Sequence, residues 1–425
     1  MKYLMKPSVL IPAAAILAWG VGFAGSATGD QALTLDDLIK RALGSNPGLL
    51  VLREEAESAR FRPSSASTYP FPRLTYTHFL ESVETRLGPQ RDILQLMQPV
   101  PFPGKLSLKS EIASFDIDIS GEKIKQAELA VIRRVKETYY TLAENLEVLG
   151  LLEKESKILD NIREITRVRL ESGRGYQHHL LGIEVELLRI KEKKLEYEKK
   201  RNSAVSVLKG LLDMPAEESL EVITSKEALP VAAVPDSLFA SAASNPGVLL
   251  MERLAEKERK KLDLARKGYL PDFTLGAGYI RIDESSMDVP DSGRDSWNIS
   301  VGMSLPLWFG SVRSEVAESR SMVRVMELRY RAERRDLVER IDLLRNRYRA
   351  AAEIAGLYRS ELIPRAGQAL QSAREGYLSG KIDYIEILDA QRQLISLKIK
   401  YAERKAEAFI YLAGLEEATG SRLIE

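Results

Sequence analysis

A long stretch without proline is the feature that most limits how this chain can fold. From Gly104 to Leu170 there is no proline, which predicts one helix of roughly 65 residues, or about 100 Å at 1.5 Å per residue. A second stretch, from Ser311 to Tyr377, is interrupted by Gly356, Pro364 and Gly367. Helices of globular proteins are several times shorter, so an elongated molecule is expected.

Both stretches carry apolar residues at heptad spacing, which is typical of coiled coils. In the first stretch these residues are Val135, Tyr139, Leu142, Leu146 and Leu149, and in the second they are Leu337, Ile341, Leu344, Tyr348, Ala351, Ala355, Tyr358 and Leu362. The segments that follow Gly173 and Gly380 continue the pattern. We therefore expect two antiparallel helical hairpins, at about 104–210 and 311–416.

One segment of the chain occurs twice. SNPGLLVLREEAESAR, from Ser45 to Arg60, recurs as SNPGVLLMERLAEKER, from Ser244 to Arg259. Asn-Pro-Gly should break or kink a helix there, because proline lacks an amide hydrogen and disfavours helix in the residue before it.

Further matches follow in the same order, since Gly104 aligns with Gly310 and Gly173 with Gly380. A tandem duplication explains this order. Its expected parts are a first repeat at 28–213, a linker at 214–235 and a second repeat at 236–425.

Each repeat contains two short segments in which apolar and polar residues alternate. The clearest is SWNISVGMSL, where Trp297, Ile299, Val301 and Met303 alternate with small or polar residues. The expected strands are at about 72–80, 91–99, 272–281 and 296–305, with polar loops between the members of each pair. Strands of about 9 to 11 residues fit a tilted membrane β-strand, although a small soluble sheet gives the same alternation.

The amino terminus has the layout of a secretory signal peptide. Lys2 and Lys6 precede a short apolar run, and the small residues GSATGD follow it. A signal peptide at 1–27 is expected, the alternative being an amino-terminal membrane anchor. No other stretch is long and apolar enough to cross a membrane as a helix, so any spanning segment should be a strand.

Four strands are too few to close a membrane barrel, because the smallest such barrels need about eight. Open sheet edges would leave backbone groups unpaired in lipid, at several kcal/mol each. The strands should therefore come from several chains, and a cyclic trimer supplies twelve. The alternative is a periplasmic coiled-coil adaptor or scaffold protein without a pore.

Four features together resemble the outer-membrane efflux protein family, the TolC-like channels. They are the order of these elements, the SNP turns, PFPGKLSLK after the second strand and GYLSGKIDYIEILDAQRQL at the second helical turn. The resemblance covers essentially the whole mature chain. It implies a mainly α fold with a small membrane β part, built from duplicated helix, β-hairpin and long helical hairpin units. Three chains would form a 12-stranded β-barrel continued by a periplasmic α-helical barrel.

The function that the resemblance implies is a passive conduit in the outer membrane that extends into the periplasm and opens at its periplasmic tip. It would be the exit duct of a tripartite efflux pump or a type I secretion system. The implied partners are two further copies of the chain, outer-membrane lipid, a periplasmic adaptor (membrane fusion) protein and an inner-membrane transporter of the RND, ABC or MFS type. PFPGKLSLK also resembles the heavy-metal branch, which leaves metal and drug export both open.

The resemblance also implies a gate near the second helical turn. Its acidic positions correspond to Glu386 and Asp389, and a gate-region tyrosine corresponds to Tyr377. The three-residue spacing of the acids puts both carboxylates on nearly one helix face, and a trimer would repeat them as rings that attract cations. Solvated acids and a packed tyrosine remain the alternatives. Ile382 stands where a well-known member has a basic gate residue, which puts a gate salt bridge in doubt.

The tips of the two hairpins are expected to contact the adaptor. The residues concerned are Gly173, Arg174, His178, Gly380 and Lys381. Adjacent residues of a helix do not face one ligand, so exposed tip histidines at His178 and His179 are favoured over metal binding.

Several classes of protein are disfavoured by what the sequence lacks. A net charge of +1 provides no general field for nucleic acid, and the absence of cysteine excludes thiolate sites. The arginine-rich run 324–350 fits a solvated coiled-coil face better than an RNA site, because its apolar residues keep heptad spacing. Without a P-loop, a dinucleotide-binding glycine motif, HExxH or GxSxG, no enzyme, cofactor or metal site is expected.

Overall fold

The computed structural model describes residues 32–173, 175–224, 242–379, 381–421 and 423. The expected signal peptide, residues 225–235 of the expected linker, and tip residues Arg174 and Gly380 lie outside this part of the chain. The described part is mostly helical with one small sheet.

The first half contains four helices and two strands. They are α1 (Leu35–Ser45), α2 (Pro47–Ser67), β1 (Arg73–Thr85), β2 (Gly88–Val100), α3 (Lys105–Glu171) and α4 (Gln177–Leu211). Thr34 begins α1 with a reciprocal cap, in which its hydroxyl accepts from the Asp37 amide and the Asp37 carboxylate accepts from the Thr34 amide.

The second half repeats the order of elements. It contains α5 (Pro246–Arg266), β3 (Asp272–Ile282), β4 (Ser296–Ser304), α6 (Phe309–Leu357), α7 (Ile363–Leu378) and α8 (Tyr384–Thr419). A π-helical turn, Tyr358–Leu362, joins α6 to α7. The turn precedes Pro364, whose missing amide removes one hydrogen bond of a regular helix. The long descending helix is therefore continuous in the first half and interrupted in the second.

The SNP segments are joints between stacked helices. Asn46 begins α2, accepting from the Leu49 amide, and its side-chain amide donates to Leu211 O at the end of α4 (3.2 Å). Asn245 does the same for α5, and it donates to Ala418 O near the end of α8 (2.9 Å). One asparagine thus satisfies the free amides of one helix and the free carbonyls of another.

These joints place the helices in four parallel columns. Helix α3 packs against α2, α4, α5 and α8, and α6 packs against α5 and α8. The columns therefore follow the order α2/α4, α3, α5/α8, α6/α7. The antiparallel sheet has the order β1-β2-β3-β4, so each strand continues one helical column.

One face of the sheet is apolar in rows that cross all four strands. One row pairs Leu74, Leu96, Ala277 and Ile299, and the next pairs Tyr76, Leu94, Tyr279 and Trp297. Every residue of β4 and nearly every residue of β1 is exposed. The alternation seen in the sequence therefore produces an apolar face that the chain itself does not cover.

The first hairpin is longer than the sequence predicted. We expected strands at 72–80 and 91–99 separated by a polar loop, whereas β1 and β2 leave only Arg86 and Leu87 between them. The loop after β3 packs on this turn, with Asp283 N donating to Pro89 O and Gly293 N to Leu87 O. Gly88 has φ +128°, and a Cβ there would lie 1.8 Å from Asp283 O, so the contact requires glycine.

Apolar clusters between neighbouring helices hold the columns together. Leu38 and Ala42 of α1 pack with Val135 and Tyr139 of α3 and with α4 at mid-height. A second cluster joins α6 to α8, and a third joins α3, α4 and α8 toward the hairpin turns. None of the described helices combines the length and the apolar character needed to cross a membrane.

Candidate gate and channel edges

The start of α8 forms the centre of a ring cluster at the helical tips. Asp383 caps α8 by accepting from the Tyr384 amide at 2.6 Å. The Tyr384 side chain is buried, and its ring centroid lies 6.2 Å from that of Tyr377 and 6.0 Å from that of His179. Burial raises the pKa of the Tyr384 phenol. Among the described residues this phenol has no hydrogen-bond partner.

Tyr377 connects the two helical hairpins. The Arg169 guanidinium, near the end of α3, donates to the Tyr377 hydroxyl and lies 4.5 Å from the centroid of its ring. Tyr377 is half-buried. The residue that resembles a gate tyrosine therefore contacts the first hairpin at the level of the turns.

Glu386 and Asp389 lie together on an exposed face of α8. Asp389 forms an ion pair with Arg392 (3.2 Å), and Arg392 also pairs with Glu186 of α4 at 2.6 Å. Ile382 is half-buried and packs against Gly376. The two acids share one face, as their spacing predicts, and their role in a gate remains a prediction.

A buried polar contact lies one turn further along α8. The Gln391 side-chain amide donates to Glu155 Oε2 of α3 at 2.6 Å, and the residues are 5% and 6% exposed. Burial raises the pKa of the Glu155 carboxyl, and the hydrogen bond from Gln391 opposes that shift. Sequence reasoning missed this pair, although a glutamine between Ile387 and Leu394 in an apolar heptad was the available signal.

The described tip residues are mostly exposed. Gly173 has φ +72° and ends α3, and His178 and Lys381 are exposed. His179 is only partly exposed, and its Nε2 lies 3.7 Å from Asp383 Oδ1 across the two hairpins. The rings of His178 and His179 lie 4.3 Å apart at the first turn of α4. Among the described residues no three His, Cys, Asp or Glu side chains form a metal cluster.

A cavity of about 640 Å³ lies further from the helical tips, and it is lined by residues of α3 and α8 together with Thr224 and Arg359. Glu144 of α3 lines it. Burial, reinforced by the nearby Glu403 carboxylate, raises the pKa of Glu144 to about 7, although Lys200 acts in the opposite direction. Sequence reasoning could not find this residue, because its neighbours come from other helices.

The two outer columns carry exposed apolar residues at helical spacing. On α4 these are Leu181, Val185, Leu188 and Leu195, and on α6 they are Val325, Leu328, Leu343, Ile354 and Leu357. Strands β1 and β4 end the sheet on the same two sides. Unpaired strand edges and apolar helix stripes indicate surfaces that another chain covers.

Comparison with known proteins supports the architecture. Residues 240–421 match the family described as outer membrane efflux protein. The cobalt-zinc-cadmium resistance protein CzcC of Cupriavidus metallidurans is 23% identical over 374 residues, covering 87% of this chain and 85% of that protein. The outer membrane protein TolC of Vibrio cholerae is 21% identical over 409 residues, covering 91% and 90%.

Solved structures share the fold. The structure of CusC superposes with a TM-score of 0.78 at 16% identity, covering 91% of this chain and 92% of that one. The channel VceC of Vibrio cholerae superposes with a TM-score of 0.75 at 17% identity, covering 92% and 97%. Residues 240–421 thus match the outer membrane efflux protein family, and the relatives and solved structures extend the similarity over most of the chain.

Proposed function

We propose that this protein is the outer-membrane channel of a tripartite efflux pump, in which three copies form one passive conduit. The observation that carries the proposal is the continuity of four strands into four helical columns, with open apolar edges on both sides. The family and its efflux relatives support it.

Joining β4 of one copy to β1 of the next would pair the backbone groups of both edges. In lipid each such group costs several kcal/mol when unpaired. Three copies give a closed sheet of twelve strands whose apolar rows, such as Leu74 to Ile299, face the hydrocarbon. The exposed stripe of α4 would then pack against that of α6, closing the helical wall below the membrane.

The gate in this proposal is the tip of the second hairpin. Contacts near the tip tie α7 and α8 to the first hairpin, among them Tyr377 with Arg169, Arg392 with Glu186, and Gln391 with Glu155. The π-helical turn above α7 supplies a place where the hairpin can bend. Opening would break these contacts, and Glu386 and Asp389 would form acidic rings at the entrance.

The partners we propose are a periplasmic adaptor, which contacts the tips around Gly173, His178 and Lys381, and an inner-membrane transporter that supplies the energy. The channel would carry out no catalytic step. Metal ions are one proposed cargo, because one relative is named a cobalt-zinc-cadmium resistance protein. Comparing the susceptibility of a deletion strain to metals and to drugs distinguishes metal export from drug export.

Fractionation and bilayer recording test the main proposal. The protein should be released from washed outer membranes only by detergent. Once purified, it should run as a heat-sensitive trimer and conduct ions in planar bilayers. Release with the soluble periplasm as a monomer would instead support the alternative of a coiled-coil adaptor or scaffold.

A further inference from the structure

Helix α6 carries a row of arginines that have no partner in the described chain. Their spacing of seven and four residues keeps them on one helix face, and the row consists of Arg313, Arg320, Arg324, Arg331 and Arg335. All five are exposed. None forms an ion pair with a described carboxylate, whereas basic residues at a similar height do, for example Arg62 with Asp116 and Lys260 with Glu111.

The direction of this row follows from the two apolar faces of α6. The buried face, from Leu337 to Ala355, contacts α5 and α8, and the exposed apolar stripe, from Val325 to Leu357, lies on average about 140° around the helix at 100° per residue. In a closed tube each column has a neighbour on either side, and the angle between the directions to these two neighbours, measured through the bore, is less than 180°. The arginines lie on the wider arc between the two apolar faces of α6, and they therefore face outward.

We infer that this row, which we call the arginine stripe, is a docking surface for the carboxylate-bearing peptide stems of the cell wall. Guanidinium groups bind carboxylates in bidentate geometry and are always charged. The inference rests on the proposed function, because it needs α6 to cross the periplasm as the outer wall of a trimeric tube.

The length of the stripe favours a wall polymer over lipid headgroups. From Arg313 to Arg335 it extends about 33 Å along the helix. The exposed Trp308 and Phe309, just above it, fit the membrane interface. Headgroups occupy only about 5–8 Å beyond the hydrocarbon on each side, so Arg313 alone reaches them. The other four arginines lie at the depth of the periplasm.

Cosedimentation with purified cell-wall sacculi tests this inference. Wild-type protein in detergent should sediment with sacculi at low salt and be released at high salt. The variant R320Q/R324Q/R331Q should bind about fivefold less, given the modest worth of each exposed pair. The matched control R329Q/R340Q/R347Q removes the same charge from another exposed face of α6 and should bind like the wild type.

Three results would overturn the inference, namely no sedimentation of the wild type, equal losses in both triple variants, or unchanged binding by the stripe variant. Vesicles with anionic lipid form a parallel arm, and stripe-dependent binding to vesicles but not to sacculi would assign the stripe to the membrane instead. The oligomeric state of every sample is measured by size exclusion with light scattering. A monomer there would reject the proposed trimer independently of the sacculus result.

Discussion

Gln391 of α8 donates a hydrogen bond to Glu155 of α3 at 2.6 Å, and both residues are more than nine-tenths buried. The bond joins the return helix of the second hairpin to the long helix of the first. A buried acid that loses its donor bears the full cost of desolvation.

Gln391→Leu should therefore destabilise the protein by about 1–3 kcal/mol, because it leaves Glu155 buried without its donor. Thermal unfolding in detergent measures this effect. Replacing both residues with leucine should recover most of the loss, since a buried polar pair is often replaceable by apolar residues. A double variant that is less stable than Gln391→Leu would contradict this account.

Tyr377→Phe and Arg169→Gln should each make the channel easier to open, because either change removes the hydrogen bond between the two hairpins at the tips. Single-channel recording in planar bilayers should show a higher conductance or a higher open probability. Tyr411→Phe, on α8 beside the apolar cluster that joins α6 to α8, is the matched control and should behave like the wild type. Currents indistinguishable from wild type in both tip variants would remove Tyr377 from the gate.

Replacing Glu386 and Asp389 with alanine should weaken block by multivalent cations, because the proposed acidic rings would lose their charge. The measurement is conductance against cation concentration in bilayers. Glu192→Ala with Glu196→Ala removes two exposed acids from α4 and serves as the control. Equal block in the wild type and the Glu386/Asp389 variant would assign these acids to a solvated surface.

Glu144 should make stability depend on pH near neutrality. Its pKa rises from 4.5 to about 7 in the folded protein, so the folded state holds the proton more tightly than the unfolded chain. The contribution of Glu144 to stability is therefore most favourable at low pH. It falls as the pH rises from about 4.5 to about 7 and stays constant above that.

Glu144→Gln should remove that decline and make the protein more stable than wild type at pH 8, by about 1 kcal/mol after allowance for partial solvent exposure. Melting temperatures from pH 5 to pH 8 report the difference. Glu153→Gln, at an exposed ion pair with Lys157, should leave the slope unchanged. A wild-type slope that persists in Glu144→Gln would show that another group is responsible.

The elements that local sequence determines were the ones that could be predicted. Alternation in SWNISVGMSL corresponds to β4, and the absence of proline after Gly104 corresponds to a helix of 67 residues. Pro47 and Pro246 each follow an asparagine that begins a helix, which is the position that the missing amide favours.

The contacts that join distant segments could not be predicted. Gln391 and Glu155 are 236 residues apart, and the raised pKa of Glu144 depends on α8. The short turn between β1 and β2 depends on the loop after β3, which packs on Gly88. Periodicity specifies which face of an element is buried, but it does not specify the partner of a buried polar group.

The stacking of α2 on α4 and of α5 on α8 has a consequence for how such proteins can change in length. A continuous helix lies beside columns made of two pieces, so residues added to α3 alone would shift its heptads against both neighbours. Growth or shortening is tolerated only when all four columns change by the same number of turns below the asparagine joints. The distance that a homologue reaches toward the inner membrane should therefore vary in paired, whole-heptad steps.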